Sequence, residues 1–339
     1  MKYVYVLTST AADLYYEQAL MSAYSLRKQM PDSEIIFLVD DKTEKSFTEE
    51  NKRLALKNYA SRIISVPFEA DVPNIDRSRL IKTSIPQYVE GSFLYIDCDT
   101  IICGDLNSIE NEQAVTAGVL DGHCLLNEHI HKKYFLQRDK KLGFSGTKKA
   151  GYNINGGLIL AKADTPEQKE QTVSLFKEWN QCWKYSAYQK KDKHDQSALN
   201  EANFRTGLKM QLLDGKWNCQ LSHGGLAFLK DAKIIHYYSS EFSGNSYLPY
   251  YRLADKKILE QIKEYGDIPE QIKEMIDNPK FQFNSVHLIN DQRIVSLMQS
   301  PLLFTLADLK SHCPTLFNFL EAVCAGLRRL GKLLKGNKK

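Results

Sequence analysis

The sequence has no apolar run near the roughly 20 residues a membrane-spanning helix requires. Its seven cysteines contain no Cys-x-x-Cys pair; scattered and odd in number, they read as reduced thiols of a cytosolic protein. Met1–Val4 runs straight into a strand pattern and has no signal-peptide layout. The end of the first strand pattern, Thr8-Ser9-Thr10-Ala11-Ala12-Asp13, has neither glycine nor lysine. That tells against a nucleotidyltransferase, whose phosphate loop is Gly-rich and basic there. A basic body is missing too. The net charge is +4, but the last twelve residues hold Arg328, Arg329, Lys332, Lys335, Lys338 and Lys339 without an acid. Six of the 45 basic residues thus lie in the tail, which leaves 39 against 41 acidic ones. A near-neutral body argues against nucleic acid as a partner and makes the tail a separate question.

What is present is ordinary globular composition, 339 residues with 43% hydrophobic and 25% charged, enough for one large α/β domain or such a domain with an appendage. Lys2–Thr8 reads as a strand, Asp13–Gln29 as a helix with Tyr16, Leu20, Ala23 and Leu26 on one face, and Glu34–Val39 as a second strand. That βαβ order points to a parallel sheet. A polar helix is expected over Thr43–Tyr59, a strand at Ile63–Val66, a helix over Arg79–Val89 irregular at Pro86, and strands at Ser92–Ile96, Ala114–Val119, Asn155–Leu160 and Lys233–Tyr238. Thr165 caps a helix running to Trp183, with Pro166 at its first position. Beyond about residue 250 the pattern is helical, so the expected division is 1–250 and 251–339.

The sharpest chemical signal is Phe93-Leu94-Tyr95-Ile96-Asp97-Cys98-Asp99-Thr100. Two carboxylates just past a buried strand reach one point if the chain turns, and carboxylate oxygens suit Mg²⁺ or Mn²⁺ against phosphates. The plain alternative is a turn that uses Asp to end a strand. His236, inside the apolar run Ile234–Tyr238, is a satisfied core residue unless it converges with those acids. Asp195-Gln196 at a helix start could bond sugar hydroxyls, the alternative being helix capping by Asp195. Asn155-Gly156-Gly157 permits close approach of a ligand or another backbone. The tryptophans Trp179, Trp183 and Trp217 read as packing.

Taken together and in order, these motifs resemble glycosyltransferase family 8 over about residues 1–245. The resemblance lies in Arg79-Leu80-Ile81-Lys82 before the Asp97-Cys98-Asp99 turn, Asn155-Gly156-Gly157, Asp195-Gln196 through Asn200, and Ile235-His236-Tyr237. It implies an α/β fold of GT-A (Rossmann-like) type: a mixed, mainly parallel sheet flanked by helices, here with a helical C-terminal extension. It implies a metal-assisted transfer of a hexose from a UDP-sugar to a glycan or glycolipid acceptor, with retention. Asp97, Asp99 and His236 would hold Mn²⁺ or Mg²⁺. Thr8, Ser9, Thr10 and Asp40 would meet the nucleoside. Arg79 and Lys82 would face the donor, Lys82 fitting the family's spacing better. Cys98 belongs to the donor-binding turn. Asn155, Gly156, Asp195 and Gln196 would contact the sugar, the last two placing it at the reacting centre. The chain departs from the family where many relatives carry a glycine and then Lys-Pro-Trp after the histidine. Here Tyr237-Tyr238-Ser239 through Asn245 follow, which puts diphosphate contacts from that loop in doubt. The alternative function is a catalytically inactive nucleotide-sugar or carbohydrate-binding protein on the same fold.

Residues 314–335 form an amphipathic pattern, with Leu320, Val323, Leu327, Leu330 and Leu334 on one side and the basic residues on the other. Such a helix suits an anionic membrane surface, or else docks on its own domain or a second copy. The first reading places the protein on the inner face of the cell membrane, near a lipid-linked saccharide acceptor.

Overall fold

The computed structural model describes residues 1–221, 223–238, 251–283 and 301–336, apart from the side chains of Phe304, Ala307 and 328–336. The loop 239–250 and the basic side chains of the tail lie outside the described residues. The chain forms two compact units, Met1–Gln282 and Phe283–Lys339. The boundary drawn from sequence marks where strands stop alternating with helices; the two compact units divide later, after Gln282.

The first unit contains the strands β1 (Lys2–Leu7), β2 (Glu34–Asp40), β3 (Arg62–Val66), β4 (Phe93–Ile96), β5 (Thr100–Ile102), β6 (Thr116–Leu120), β7 (Ile154–Ala161), β8 (Gln211–Leu213), β9 (Cys219–Gln220) and β10 (Ile234–His236). Its helices are α1 (Tyr15–Gln29), α2 (Asp41–Lys45), α3 (Asn74–Lys82), α4 (Lys132–Leu142), α5 (Gly146–Ala150), α6 (Pro166–Lys184), α7 (Gln196–Arg205), α8 (Lys256–Tyr265) and α9 (Glu270–Asp277). A seven-stranded sheet has the order β3-β2-β1-β4-β7-β6-β8, parallel except where β7 meets β4 and β6. This is the mixed, mainly parallel α/β sheet that the sequence implies. A smaller sheet, β5-β10-β9, stands beside it.

Burial explains the layers. Tyr16, Leu20, Ala23 and Leu26 are buried along α1, the face the periodicity marks. β4 and β7 are buried along their whole length and share a core with α6 and α7 that includes Phe93, Ile159, Phe176, Trp179, Trp183 and Leu199. All three tryptophans are at most 1% exposed, so they are core rather than sugar platforms. Each such side chain contributes about 1.5–3 kcal/mol of transfer free energy. α6 starts as its sequence requires: Thr165 accepts from the Gln168 amide, Gln168 reaches back to Thr165, and Pro166 takes the first turn.

Two segments differ from the periodicity. The helix expected over Thr43–Tyr59 is only the short α2 and a 3₁₀ turn, Ala55–Asn58. Between them the chain folds back so that the buried Arg53 guanidinium meets Ser9, Thr10 and Ser46, a tertiary demand that overrides helix propensity. The helix expected over Arg79–Val89 lies earlier, as α3, and Pro86 sits in a 3₁₀ turn, Ile85–Gln87. The residue before a proline disfavours helical geometry, so the helix stops before it.

The second unit contains α10 (Pro301–His312) and α11 (Pro314–Gly336). Along α11, Leu316, Phe319, Val323 and Leu327 recur on one face and are 44–64% exposed. Among the described residues, no helix is long and apolar enough to cross a membrane.

Candidate active site

The expected site residues stand at the carboxyl ends of β1, β2 and β4, where open α/β sheets bind ligands, and are completed by β7, α7 and β10. The turn after β4 is shaped by its own bonds. The Asp97 amide donates to Gly157 O at 2.8 Å, Thr100 Oγ1 donates to Asp97 O at 2.8 Å, and Cys98 Sγ donates to Val6 O at 3.4 Å. Cys98 thus ties the turn back to β1, and burial holds its thiol pKa well above the ordinary value.

β10 pairs antiparallel with β5, setting His236 opposite Thr100. One ligand atom each from Asp97, Asp99 and His236 lie within 4.8 Å of one another. His236 Nε2 is 3.3 Å from Asp99 Oδ1. Burial disfavours charge on the ring, but Asp99 more than offsets this, and the His236 pKa rises. Burial likewise works against the Asp99 carboxylate, yet its pKa falls because the imidazole is adjacent. His236 is therefore not merely a packed core histidine. Two carboxylates and an imidazole within this spacing fit Mn²⁺, and Mg²⁺ less closely.

A second group surrounds Lys82, which is 3% exposed. Its Nζ is 3.2 Å from Asp97 Oδ1 and 3.0 Å from Asp195 Oδ2. Arg79 Nε lies 3.3 Å from Asp195 Oδ1. Asp195 is the N-cap residue of α7, but its side chain makes no capping bond. Its carboxylate turns to the two cations instead, so it does more than begin a helix. Burial opposes the charge on Asp195, and Arg79 and Lys82 overcome it, so the carboxyl stays ionised far below the usual range. Burial lowers and the two acids raise the Lys82 pKa, with a net rise. Gln196 Oε1 accepts from the Gly156 amide at 3.5 Å. A Cβ at Gly156 would lie 3.7 Å from Lys82 Nζ and 3.8 Å from Asp195 Oδ2, so this strand backbone borders the pair, while the Asn155 amide is buried and bonded to Asp121, Gly157 and Asn218.

The residues expected to meet the nucleoside are drawn together by each other. Ser9 and Thr43 bond reciprocally, Asp13 accepts from Ser9 Oγ and from Thr10, and Thr8 Oγ1 donates to Asn74 O. Asp40 is 1% exposed, and both its oxygens are engaged, by the Thr43 amide at 3.1 Å and Arg77 Nη1 at 2.9 Å. It braces the end of β2 from within, and Asp41 beside it is the more exposed acid.

Sequence reasoning missed several participants. Tyr95, buried on β4, donates its hydroxyl to Asp97. It stands two residues earlier on the same strand, so the two-residue period of a strand carried that signal. Asn218, in the 3₁₀ turn Gly215–Asn218, bonds His236 and Asn155. Tyr238 stacks on the His236 ring with centroids 4.2 Å apart. Asn218 has no motif around it, whereas Tyr238 stands two residues after His236 in the run Ile234–Tyr238.

Residues 6–241 match the family described as Glycosyl transferase family 8. No curated protein matches the sequence. Similar solved structures include the galactosyltransferase LgtC with donor and acceptor sugar analogues, at 18% identity and TM-score 0.48 over 81% of this chain and 99% of that one. Mouse xyloside xylosyltransferase 1 in its apo form is similar at 13% identity and TM-score 0.46, over 69% of this chain and 96% of that one. The glycosyltransferase GlyE of Streptococcus pneumoniae is similar at 16% identity and TM-score 0.46, over 84% and 66%.

Proposed function

The chain belongs to glycosyltransferase family 8, and from that premise we propose that it moves a hexose from a UDP-sugar to a glycan or glycolipid acceptor, with retention and with help from Mn²⁺ or Mg²⁺. The observation that carries this reading is the convergence of Asp97, Asp99 and His236 beside the Lys82–Asp195 pair. A bound divalent ion would neutralise the diphosphate and so favour its departure.

The chain's own residues supply the rest. Asp97, Asp99 and His236 would hold the ion, and Tyr95 and Lys82 orient Asp97. The Thr8–Thr10 segment, cross-braced by Asp13 and Arg53 and backed by Asp40, presents a fixed surface to the nucleoside. Asn155, Gly156, Asp195 and Gln196 position the sugar. Asp195, fixed and ionised between Arg79 and Lys82, offers an acceptor to sugar hydroxyls, and Gln196 is aligned by its bond to Gly156. Preorganised groups of this kind lose little freedom when substrate arrives. We assign Asp195 and Gln196 to positioning the reacting centre.

α11 supports a location on the inner face of the cell membrane. Its exposed Leu316, Phe319, Val323 and Leu327 fit the acyl boundary, and the basic residues that follow in sequence fit anionic headgroups. A lipid-linked saccharide acceptor accords with that place. The test of the reaction is to incubate the protein with UDP-glucose, UDP-galactose and their N-acetyl forms in Mn²⁺ and to measure released UDP. Release from one donor, lost with chelator, supports the proposal. Release from none favours an inactive nucleotide-sugar-binding protein.

A further inference from the structure

The histidine of the site is oriented by a chain of amide bonds whose direction is fixed at its far end. The Gly157 backbone N–H can only donate, and it donates to Asn155 Oδ1 at 2.9 Å. Asn155 Nδ2 in turn faces Asp121 Oδ1 at 2.9 Å, a carboxylate acceptor. These two bonds settle which end of the Asn155 amide is oxygen. Asn218 meets that same oxygen at 3.0 Å and must therefore present its Nδ2. Its Oδ1 is left for His236 Nδ1, 3.0 Å away. An amide oxygen only accepts, so Nδ1 must carry hydrogen, and the lone pair available to an ion is at Nε2, the nitrogen that faces Asp99. Asn218 is fully buried.

We propose that Asn218 is a positioning residue: it holds hydrogen on Nδ1 of His236, turns Nε2 toward Asp97 and Asp99, and joins the metal-binding ring to Asn155. This rests on the metal-assisted reading above. A ligating histidine usually gives its second ring N–H to such a partner, and loss of the partner weakens metal binding roughly 10- to 100-fold. The chain also makes the two halves of the site mechanically continuous, because Asn155 cannot rotate without releasing Asn218.

The test has two arms. In the wild-type protein with ¹⁵N-labelled histidine, ring correlation spectra with and without Mg²⁺ identify the signal lost in His236→Asn. The expected result is a protonated Nδ1 in both states; a bare Nδ1 overturns the proposal. In the second arm, Mn²⁺ affinity is measured on wild type, Asn218→Leu and Asn218→Asp. Asn218→Leu, which has no acceptor, should bind roughly 10- to 100-fold more weakly. Asn218→Asp keeps an acceptor for Nδ1–H and should stay within a few-fold of wild type, while donor KM rises because Asn155 loses its partner. Equal Mn²⁺ binding by Asn218→Leu and wild type overturns the proposal alone. Absence of Mn²⁺ binding by wild type overturns the metal reading beneath it. If Asn218→Leu does not fold, the wild-type spectrum and Asn218→Asp still decide.

Discussion

Gly157 and His236 are in such close contact that a Cβ at position 157 would lie 2.5 Å from His236 Cε1 and 2.9 Å from its Nδ1. The missing side chain of Gly157 is the space the imidazole occupies. Gly157→Ala must therefore displace the ring. Overpacking of this kind costs about 1–3 kcal/mol. Calorimetry should find Mn²⁺ binding weakened by roughly 10- to 100-fold. Unchanged affinity would mean that His236 does not need this place.

Asp195 sits between Arg79 and Lys82 with its carboxylate turned away from α7. Asp195→Asn keeps the shape and removes the charge. If Asp195 positions the sugar, turnover falls by about 100-fold, the scale of a small misplacement at a reacting centre, and Mn²⁺ affinity barely moves. Steady-state kinetics and a metal titration on one preparation separate these. Loss of metal binding with full residual turnover would contradict the assignment.

How much of this was legible beforehand depended on where the chemistry is written. Asp97 and Asp99 lie within three consecutive residues beside an apolar strand, so their convergence on one point could be expected from sequence, with a strand-ending turn as the alternative. His236 could be recognised only with the rest of the motif order. Asn218 could not, because its function arises where a 3₁₀ turn meets β10 and β7, and nothing near it in sequence repeats or alternates. The fold follows the same rule. β1, α1 and β2 obey simple periods. Thr43–Tyr59 does not, because Arg53 turns inward to Ser9 and Thr10, a contact between segments more than forty residues apart. The short strands β5, β8 and β9 have two or three residues each, too few to show a period.

Glu17 offers a pH test away from the chemistry. It is 1% exposed, its Oε2 has no hydrogen-bond partner, and burial raises its pKa despite Arg53 and Lys263 nearby. A raised folded pKa means that the proton-linked stability is complete below the unfolded value, about 4.3, and is lost as pH rises through the folded value. Glu17→Gln should therefore raise the melting temperature at pH 8 and change it little at pH 4. Thermal melts at the two values check this, and a stabilisation confined to low pH would contradict it.

The membrane proposal predicts that the full chain sediments with vesicles rich in anionic lipid and is released by salt, since each basic residue near the surface is worth about 1 kcal/mol. Replacing Leu316, Phe319 and Val323 by Gln should abolish sedimentation and leave UDP binding intact. Sedimentation that survives the substitutions would point to another surface.

The central claim is tested most directly by calorimetric titration of UDP into the protein with Mn²⁺, then with chelator, on wild type and on Asp99→Ala. The account predicts binding that requires Mn²⁺ and vanishes in the variant. UDP binding of equal strength with and without the ion, or in Asp99→Ala, would contradict it.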